Sequence, residues 1–491
     1  MAFRNKGTVP PTVIVSLDPD RSGNYVCDGV ADDVQIQAAI DYASALGYGE
    51  VYIKRGIYEI TATLTISTPV WIRGEFMGHP GTPSSTILKL ADNANCDLIE
   101  YTHPDTHQYF GGISDLSIDG NKAHNAGVLN MIRITNRFSD LHFERIFINN
   151  SVYNGIYLNC SISCWNIWIE DCLIENCDES GIFSGGTSWV ERVRIIGCHF
   201  ASNKRGINLT STNSERITIL NNTIDQSNLE GIRIKKTNNV IIMGNDVQNS
   251  SQTGANTADG ISIIDSADRC IIVDNFCHDD QGTHTQRDGI NVEDSDDTIV
   301  ENNICMNNTR YGINVSAATA NRTRVKDNKL LSNTTGAFND AGTDTQLAWV
   351  FMEVTDPDSN VGDHPALVLP DTVDTTFRFQ LPIPLEFQEL VTAHVIVTQT
   401  ATAGPPNMQW STTTDWGKLC AAENYNAGSD AETDQTTAVT INQLNCIDVS
   451  ASLTGIAAGD LVGFTFIRRA SQGGDTINDD AYYLGFRLRY V

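Results

Sequence analysis

Long apolar runs are missing from this chain of 491 residues. The stretch 347–352 is among the longest, far short of the ~20 residues needed to cross a bilayer. No membrane insertion is therefore expected. Positive charge is scarce as well, with 32 Lys and Arg against 60 Asp and Glu and a formal net charge of −28. Nucleic-acid phosphates need a basic face, so no nucleic-acid partner is expected. An acidic polysaccharide is disfavoured too, unless a local basic patch or a bridging cation offsets the repulsion. The opening MAFRNKGTVPPTVIV has no apolar block of the kind a secretory leader carries, so classical export is not expected. Twelve cysteines are too few for a disulfide scaffold, and no paired CxxC spacing suggests zinc. Most of them read as small buried hydrophobes with free thiols, which favours folding in a reducing cytoplasm, and the disulfide status of Cys420 and Cys446 stays open. The histidines are scattered, and no Ser-His-Asp or phosphate-loop constellation is present. Hydrophobic residues still make up 41%, enough for a real core.

What is present is a repeat. A Gly step opening a short apolar strand recurs at Gly127, Gly155, Gly181, Gly206, Gly231, Gly260, Gly289, Gly312 and Gly336, at spacings of 23 to 29 residues. Between these steps lies a second short strand ending in Asn222, Asn245, Asn275, Asn303 or Asn328. Strands of about four residues with period-two alternation cannot bury a face alone. Stacked coil on coil, ~4.8 Å apart, they bury a continuous column of Ile and Val. Asparagines at one position of successive coils would form a side-chain ladder inside a turn. No helix-sized period accompanies the repeat. The pattern predicts an all-β fold: a right-handed parallel β-helix over residues 31–344. A capping helix at about 32–46 is expected, with Val34, Ile36, Ala39, Ile40 and Ala43 near helical spacing.

The segment around that helix reads Asp28-Gly29, Asp32-Asp33, Gln37, Ala39-Ile40-Asp41, Gly49, Val51-Tyr52, Gly56 and Tyr58. It resembles the opening of the pectate-lyase-like β-helix superfamily. That superfamily holds polysaccharide lyases, hydrolases, epimerases, phage tailspikes and non-catalytic surface proteins, so fold does not settle function. By the same resemblance a parallel homotrimer is expected. Residues 1–30 read as a lead-in whose first twelve residues would be an attachment peptide.

Residues 345–491 change character, with alternating runs such as TFRFQLP, TAHVIVTQT and DLVGFTFIRR between turn-rich stretches. This predicts a C-terminal antiparallel β-sandwich of jelly-roll type. Its last 35 or so residues resemble sandwich domains appended to viral and phage particle proteins.

Candidate chemistry gathers in the column just before the repeat glycines, which reads Asn154, Ser180, Arg205, Glu230, Asp259, Asp288, Tyr311 and Thr335. Three consecutive coils carry carboxylates there. One coil of rise would place Asp259 and Asp288 roughly 5–5.5 Å apart, as in a retaining glycosidase pair, and Glu230 ~10 Å from Asp288. Stacked carboxylates raise one another's pKa. The two 29-residue coils add loops before Asp259 and Asp288, the second bringing Asp279, Asp280 and His284. The column two places past each glycine, with Tyr157, Phe183, Asn208, Arg233, Ser262, Asn291 and Asn314, would offer a glycan-stacking and hydrogen-bonding track. The bland alternatives are aromatics packed between coils and acids in ordinary solvated turns. Asn256-Thr257-Ala258-Asp259-Gly260 is similar to the N-T-D-G of polygalacturonases, with an inserted Ala. That likeness implies Asp280 as acid, with Asp259 and Asp279 activating water. No Gly-His-Gly follows, and Arg233-Ile234-Lys235 lies upstream rather than downstream.

No cofactor is expected. Calcium is the one ion suggested, by Asp18-Pro19-Asp20 and Asp356-Pro357-Asp358, which resemble half of a calcium loop but lack its final Glu. Two readings stay open. One is a virion or cell-surface spike that recognises a glycan and contacts other virion proteins. The other is a polysaccharide hydrolase, or less readily a lyase, using Glu230, Asp259, Asp288, Asp279 and Asp280. In both, Tyr157, Phe183, Arg205, Arg233, Tyr311 and His284 would hold the glycan.

Overall fold

The computed structural model describes residues 12–79, 82, 84–103, 107–160, 162–354, 357–401, 406–418 and 424–491. The attachment peptide expected at residues 1–12 lies, except for Thr12, outside them. Two compact units form, one up to Arg324 with Asn328–Thr345, the other Gln346–Val491 with Val325–Asp327.

The first unit is a parallel β-solenoid. One coil runs Ile156–Asn159, Cys164–Glu170 and Leu173–Glu175, and each strand pairs in parallel with its counterpart in the next coil. The corners are residues in the left-handed region: Asn166, Asp171 and Asn176 in this coil, Arg192, Gly197 and Ser202 in the next. Asn and Asp adopt that region more readily than other side chains, which explains the polar punctuation. The first strand of every coil joins an eleven-stranded sheet, and the other two feed a twenty-two-stranded one bent at the corners.

The repeat glycines answer to space rather than to turn geometry. A Cβ on Gly155, Gly181, Gly206, Gly231, Gly260 or Gly289 would sit 2.6–2.9 Å from the carbonyl oxygen of the next glycine in the column. Behind them Ile156, Ile182, Ile207, Ile232, Ile261, Ile290 and Ile313 stack in register, fully buried. Each contributes about 1.5–3 kcal/mol of burial. The asparagine ladder is continuous. Asn222 donates to Asn245 Oδ1 from its backbone N (3.0 Å) and Nδ2 (2.9 Å), and Asn245 to Asn275, Asn275 to Asn303 and Asn303 to Asn328 repeat the pattern. Below it Cys198 takes the same place and donates its backbone N to Asn222 Oδ1 at 2.9 Å.

The helix Asp33–Ala45 buries Ile36, Ala39, Ile40 and Ala43. Val34, expected on that stripe, is 61% exposed. At ~100° per residue it lies about 200° from Ile36, on the opposite face. The acidic motif pins this cap to the first coils: Asp32 accepts from Gly29 N and Glu59 N, Asp33 from Thr61 N, and Gln37 from Thr65 N. Thr12–Leu17 is a sheet member, parallel to Tyr25–Cys27 and Gly49–Ile53.

The second unit holds two antiparallel sheets. Ala481–Tyr490 is central to one, against Leu390–Gln399, His364–Leu369 and Ala348–Met352; Asp460–Arg468 lies between Thr375–Pro382 and Asn407–Lys418 in the other. Phe377, Phe464, Phe466, Phe486 and Trp410 fill its core. Arg468 is fully buried, paired with Asp475 at 3.0 Å and bonded to three backbone carbonyls.

Eleven described cysteines are free, nine of them buried; Cys420 lies outside the described residues. No helix among the described residues is long and apolar enough to cross a membrane.

Candidate functional site

The outer face of the eleven-stranded sheet carries both candidate columns. Residue pairs along the second are in register: Arg133, Tyr157, Phe183, Asn208, Arg233, Ser262, Asn291, Asn314 and Asn339. The column before the glycines lies beside it. Ser180 Oγ accepts from Asn208 Nδ2 at 3.3 Å, and Asp288 Oδ2 from Asn314 Nδ2 at 3.1 Å, each reaching one coil up.

The carboxylates are neither solvated nor free. Asp259 is 1% exposed and Asp288 fully buried. Arg287 grips Asp259 through both oxygens, at 2.8 and 2.7 Å. Its Nε also lies 3.8 Å from Asp288 Oδ2, so one guanidinium bridges two coils. Arg310 grips Asp288 in the same forked manner, at 2.9 Å to Oδ1 with a second close bond to Oδ2. Lower down, Arg205 Nε meets Glu230 at 2.6 Å. Each acid is thus held by an arginine from an adjacent coil, in bidentate geometry at Asp259 and Asp288 and through a single bond at Glu230. Burial pushes the Asp259 carboxyl up to about 7, with Asp288 and Glu230 adding to the rise and Arg287 opposing it. In return the Asp259 carboxylate holds Arg287 above its usual range.

The loop residues divide. Asp279 is buried and accepts from Gln281 N, Thr285 N and Gln286 N at 3.1, 2.6 and 2.9 Å. Its carboxylate organises its own loop, so the pairing with Asp259 implied by the polygalacturonase likeness is not what its bonds serve. Asp280 is exposed, and His284 is half-buried on the same loop. Tyr311 is half-buried, with the Arg310 guanidinium 5.5 Å over its ring and its backbone N donating to Asp288.

The glycan track is open only in part. Tyr157 and Phe183 are half-buried with ring centroids 5.1 Å apart. Arg233 is half-buried, and its Nε lacks a hydrogen-bond partner among the described residues. Ser262, Asn291 and Asn314 are buried instead, because the Asn side chains bond from coil to coil. The suggested calcium ligands are engaged elsewhere, Asp18 with Arg21 and Asp20 with Lys54. Asp356 lies outside the described residues, among which no cluster suited to a metal is found.

Sequence reasoning missed an aromatic array on the long sheet. Trp71, Gly112, His142, Trp168 and Arg194 share one outward column. His142 stacks on Trp168 at 4.2 Å, and Arg194 lies 5.2 Å over the same indole. Nearby, His107 stacks on Tyr109 at 4.8 Å and lies tilted against Trp165 at 4.4 Å. The available signal was Trp165-Asn166-Ile167-Trp168, in which left-handed Asn166 interrupts the alternation.

This geometry defines a right-handed parallel β-helix with a polar, arginine-braced face. The family model described as the right-handed β-helix region matches residues 93–224 and 212–348, and the chain belongs to that family. A mannuronan C5-epimerase, AlgE5 of Azotobacter vinelandii, is 37% identical over 111 residues, covering 20% of this chain and 10% of that protein. The match thus spans about a tenth of the relative's length. Among solved structures, the A-module of the Azotobacter vinelandii epimerase AlgE4 aligns over 68% of this chain and all of that chain, with TM-score 0.51 and 19% identity. ORF18 of Geobacillus virus E2 covers 91% of this chain and 79% of its own, with TM-score 0.49 and 17% identity.

Proposed function

We propose that the chain is a polysaccharide-recognising β-helix protein of a virion or extracellular surface. It reads glycan along the outer face of the eleven-stranded sheet, assembles as a homotrimer beside other virion proteins, and does not cleave what it binds. The observation that carries this reading is the pairing of every carboxylate in the column with an arginine of an adjacent coil. A glycosidase needs one free carboxylate and one proton donor at a set separation. Carboxylates locked to arginine, two of the three in bidentate bonds, brace the face instead. They leave Tyr157, Phe183 and Arg233 as the partly open groups, an apolar ring surface beside a planar donor. The short sequence match to an enzyme named for mannuronan supports a polysaccharide as the ligand class and puts mannuronan first in the trial panel.

Hydrolysis is the second reading, and one observation favours it. Burial raises Asp259 to about 7, where a carboxyl still carries a proton near neutral pH. The test is a polysaccharide panel offered to the purified full chain, with binding measured and products examined by mass spectrometry. We expect binding without shortened products, retained in Asp259→Asn and lost in Tyr157→Ala or Arg233→Ala. Shortened products that vanish in Asp259→Asn would replace this reading with a hydrolase, and unsaturated product ends with a lyase.

A further inference from the structure

One cavity of the solenoid lies off the face that carries Tyr157 and Arg233. It opens where the chain turns from the eleven-stranded sheet into the long one, on three successive coils. Glu191, Glu215 and Asn238 hold the same place in those coils and are joined by parallel bridges. With Trp189, Thr212 and Asn213 they line a cavity of about 230 Å³. That is below the ~300–1,000 Å³ of pockets for drug-sized ligands, and leaves room for one small ring.

Trp189 is the residue that a plain turn does not explain. Turns favour Gly, Asn, Asp and Ser, yet this indole is 46% exposed. It is also held. Its backbone N donates to Cys160 O at 2.7 Å, its carbonyl accepts from Cys164 N at 2.9 Å, and its Nε1 donates to Glu191 Oε1 at 2.7 Å. An apolar ring fixed in this way costs little further ordering when something stacks on it.

Among the lining residues only Glu191 and Glu215 are charged. Arg216, outside the lining, lies 3.9 Å from Glu191 Oε2 and 3.3 Å from Glu215 Oε1, and Asn239 Nδ2 donates to Glu215 Oε2 at 3.2 Å. The carboxylates thus already share a cation, and their remaining lone pairs are left to accept from hydroxyls. The Thr212 hydroxyl, Asn213 Oδ1 and Asn238 Nδ2 make no hydrogen bond with the described residues, while Asn213 Nδ2 and Asn238 Oδ1 are engaged with backbone. No group suited to a metal is found among the described residues, and an anionic ring would meet two carboxylates.

We propose that this cavity is a glycan site distinct from the eleven-stranded face, seating one neutral hexopyranose ring. The C–H face of the ring lies on Trp189, its hydroxyls donate to Glu191 and Glu215, and its oxygens accept from Asn238 Nδ2 and Thr212. Trp165 stands in register with Glu191 one coil down, and His107 and Tyr109 continue the aromatic surface beyond it, where the next units of a chain would lie. None of these residues belongs to the eleven-stranded sheet, so the inference stands apart from the reading built on Tyr157 and Arg233.

The test is saturation-transfer NMR on the full chain. The probes are the methyl glycosides of glucose, galactose, mannose, rhamnose and N-acetylglucosamine, all neutral, with glucuronic acid as the charged counterpart of glucose. We expect at least one neutral glycoside to receive saturation. Its affinity, from titration, should fall at least tenfold in Trp189→Ala and in Glu215→Gln, with unchanged circular dichroism, and stay the same in Tyr157→Ala. Thr212→Val with Asn213→Ala alters only the exposed rim and should weaken binding several-fold, so the check holds even if Glu215→Gln does not fold. Silence from all five glycosides, an affinity that survives Trp189→Ala, or glucuronic acid bound as tightly as methyl glucoside overturns the proposal. Mannuronan, an acidic polymer, probes the other reading, so the two fail separately.

Discussion

Asp259 and Arg287 show what burial does to an ion pair at a functional-looking position. The carboxylate is 1% exposed and the guanidinium side chain 30%, so the pair is dry on one side only. Truncating Arg287→Met would leave a buried, unpartnered acid, at a cost toward the lower end of the usual range, about 3 kcal/mol. Adding Asp259→Asn to that variant should restore most of the loss, and denaturant unfolding of the three proteins measures it. The pH dependence has a definite sign. A carboxyl raised in the folded state contributes stability that is fully present below its unfolded value, near 3.8, and is lost as pH rises through about 7. Wild type should therefore lose ground to Asp259→Asn between pH 4 and pH 8, in melting curves taken in parallel. The acidic column itself was legible in the sequence, because the glycine register lines it up. The clamp was not, since Arg287 and Arg310 sit one residue before Asp288 and Tyr311 and only the coil rise shows which acid each one meets.

At the level of a single ladder, the asparagine column is worth testing at its middle. Asn245 accepts two bonds from Asn222 and donates to Ile219 O and Asn275 Oδ1, all buried. Asn245→Ala would strand several of these groups at about 1–3 kcal/mol each. Asn245→Cys should fall between, because Cys198 at the equivalent place still reaches a carbonyl of the coil below, Ile169 O at 3.5 Å. Thermal unfolding of the two variants gives the order. The ladder and the isoleucine column were readable because each repeats one residue type at one spacing. The Trp165–Trp168 array was hidden because left-handed corners reset the inside–outside alternation within a strand, and the sequence does not mark which Asn adopts that conformation. Asn291 and Asn314 keep the outward register that counting gives, yet they are buried and bonded from coil to coil.

For the molecule as a whole, charge and apolar surface oppose each other. Copies bearing −28 repel, and apolar contact between the copies of the proposed homotrimer would attract without regard to sign. Added salt screens the first over a Debye length of about 10 Å at 0.1 M and leaves the second intact. The oligomer should therefore tighten from low to moderate ionic strength, seen as a falling dissociation constant in sedimentation equilibrium. An assembly held by surface ion pairs would loosen instead. The strand pattern changes near residue 345 because stacked short strands and long antiparallel ones leave different spacings.

The left-handed corners carry a consequence for how such a chain changes length. Coil spacings range from 23 to 29 residues, yet strands, corners and ladder stay in register throughout. Residues can therefore be inserted at the exposed loop tip between Gly282 and His284 without moving a single rung, whereas one residue added between a corner and its strand would turn an entire row inside out. The solenoid thus separates a part that drifts from a part that counts: recognition loops can be exchanged wholesale, and the shaft can grow only by complete coils.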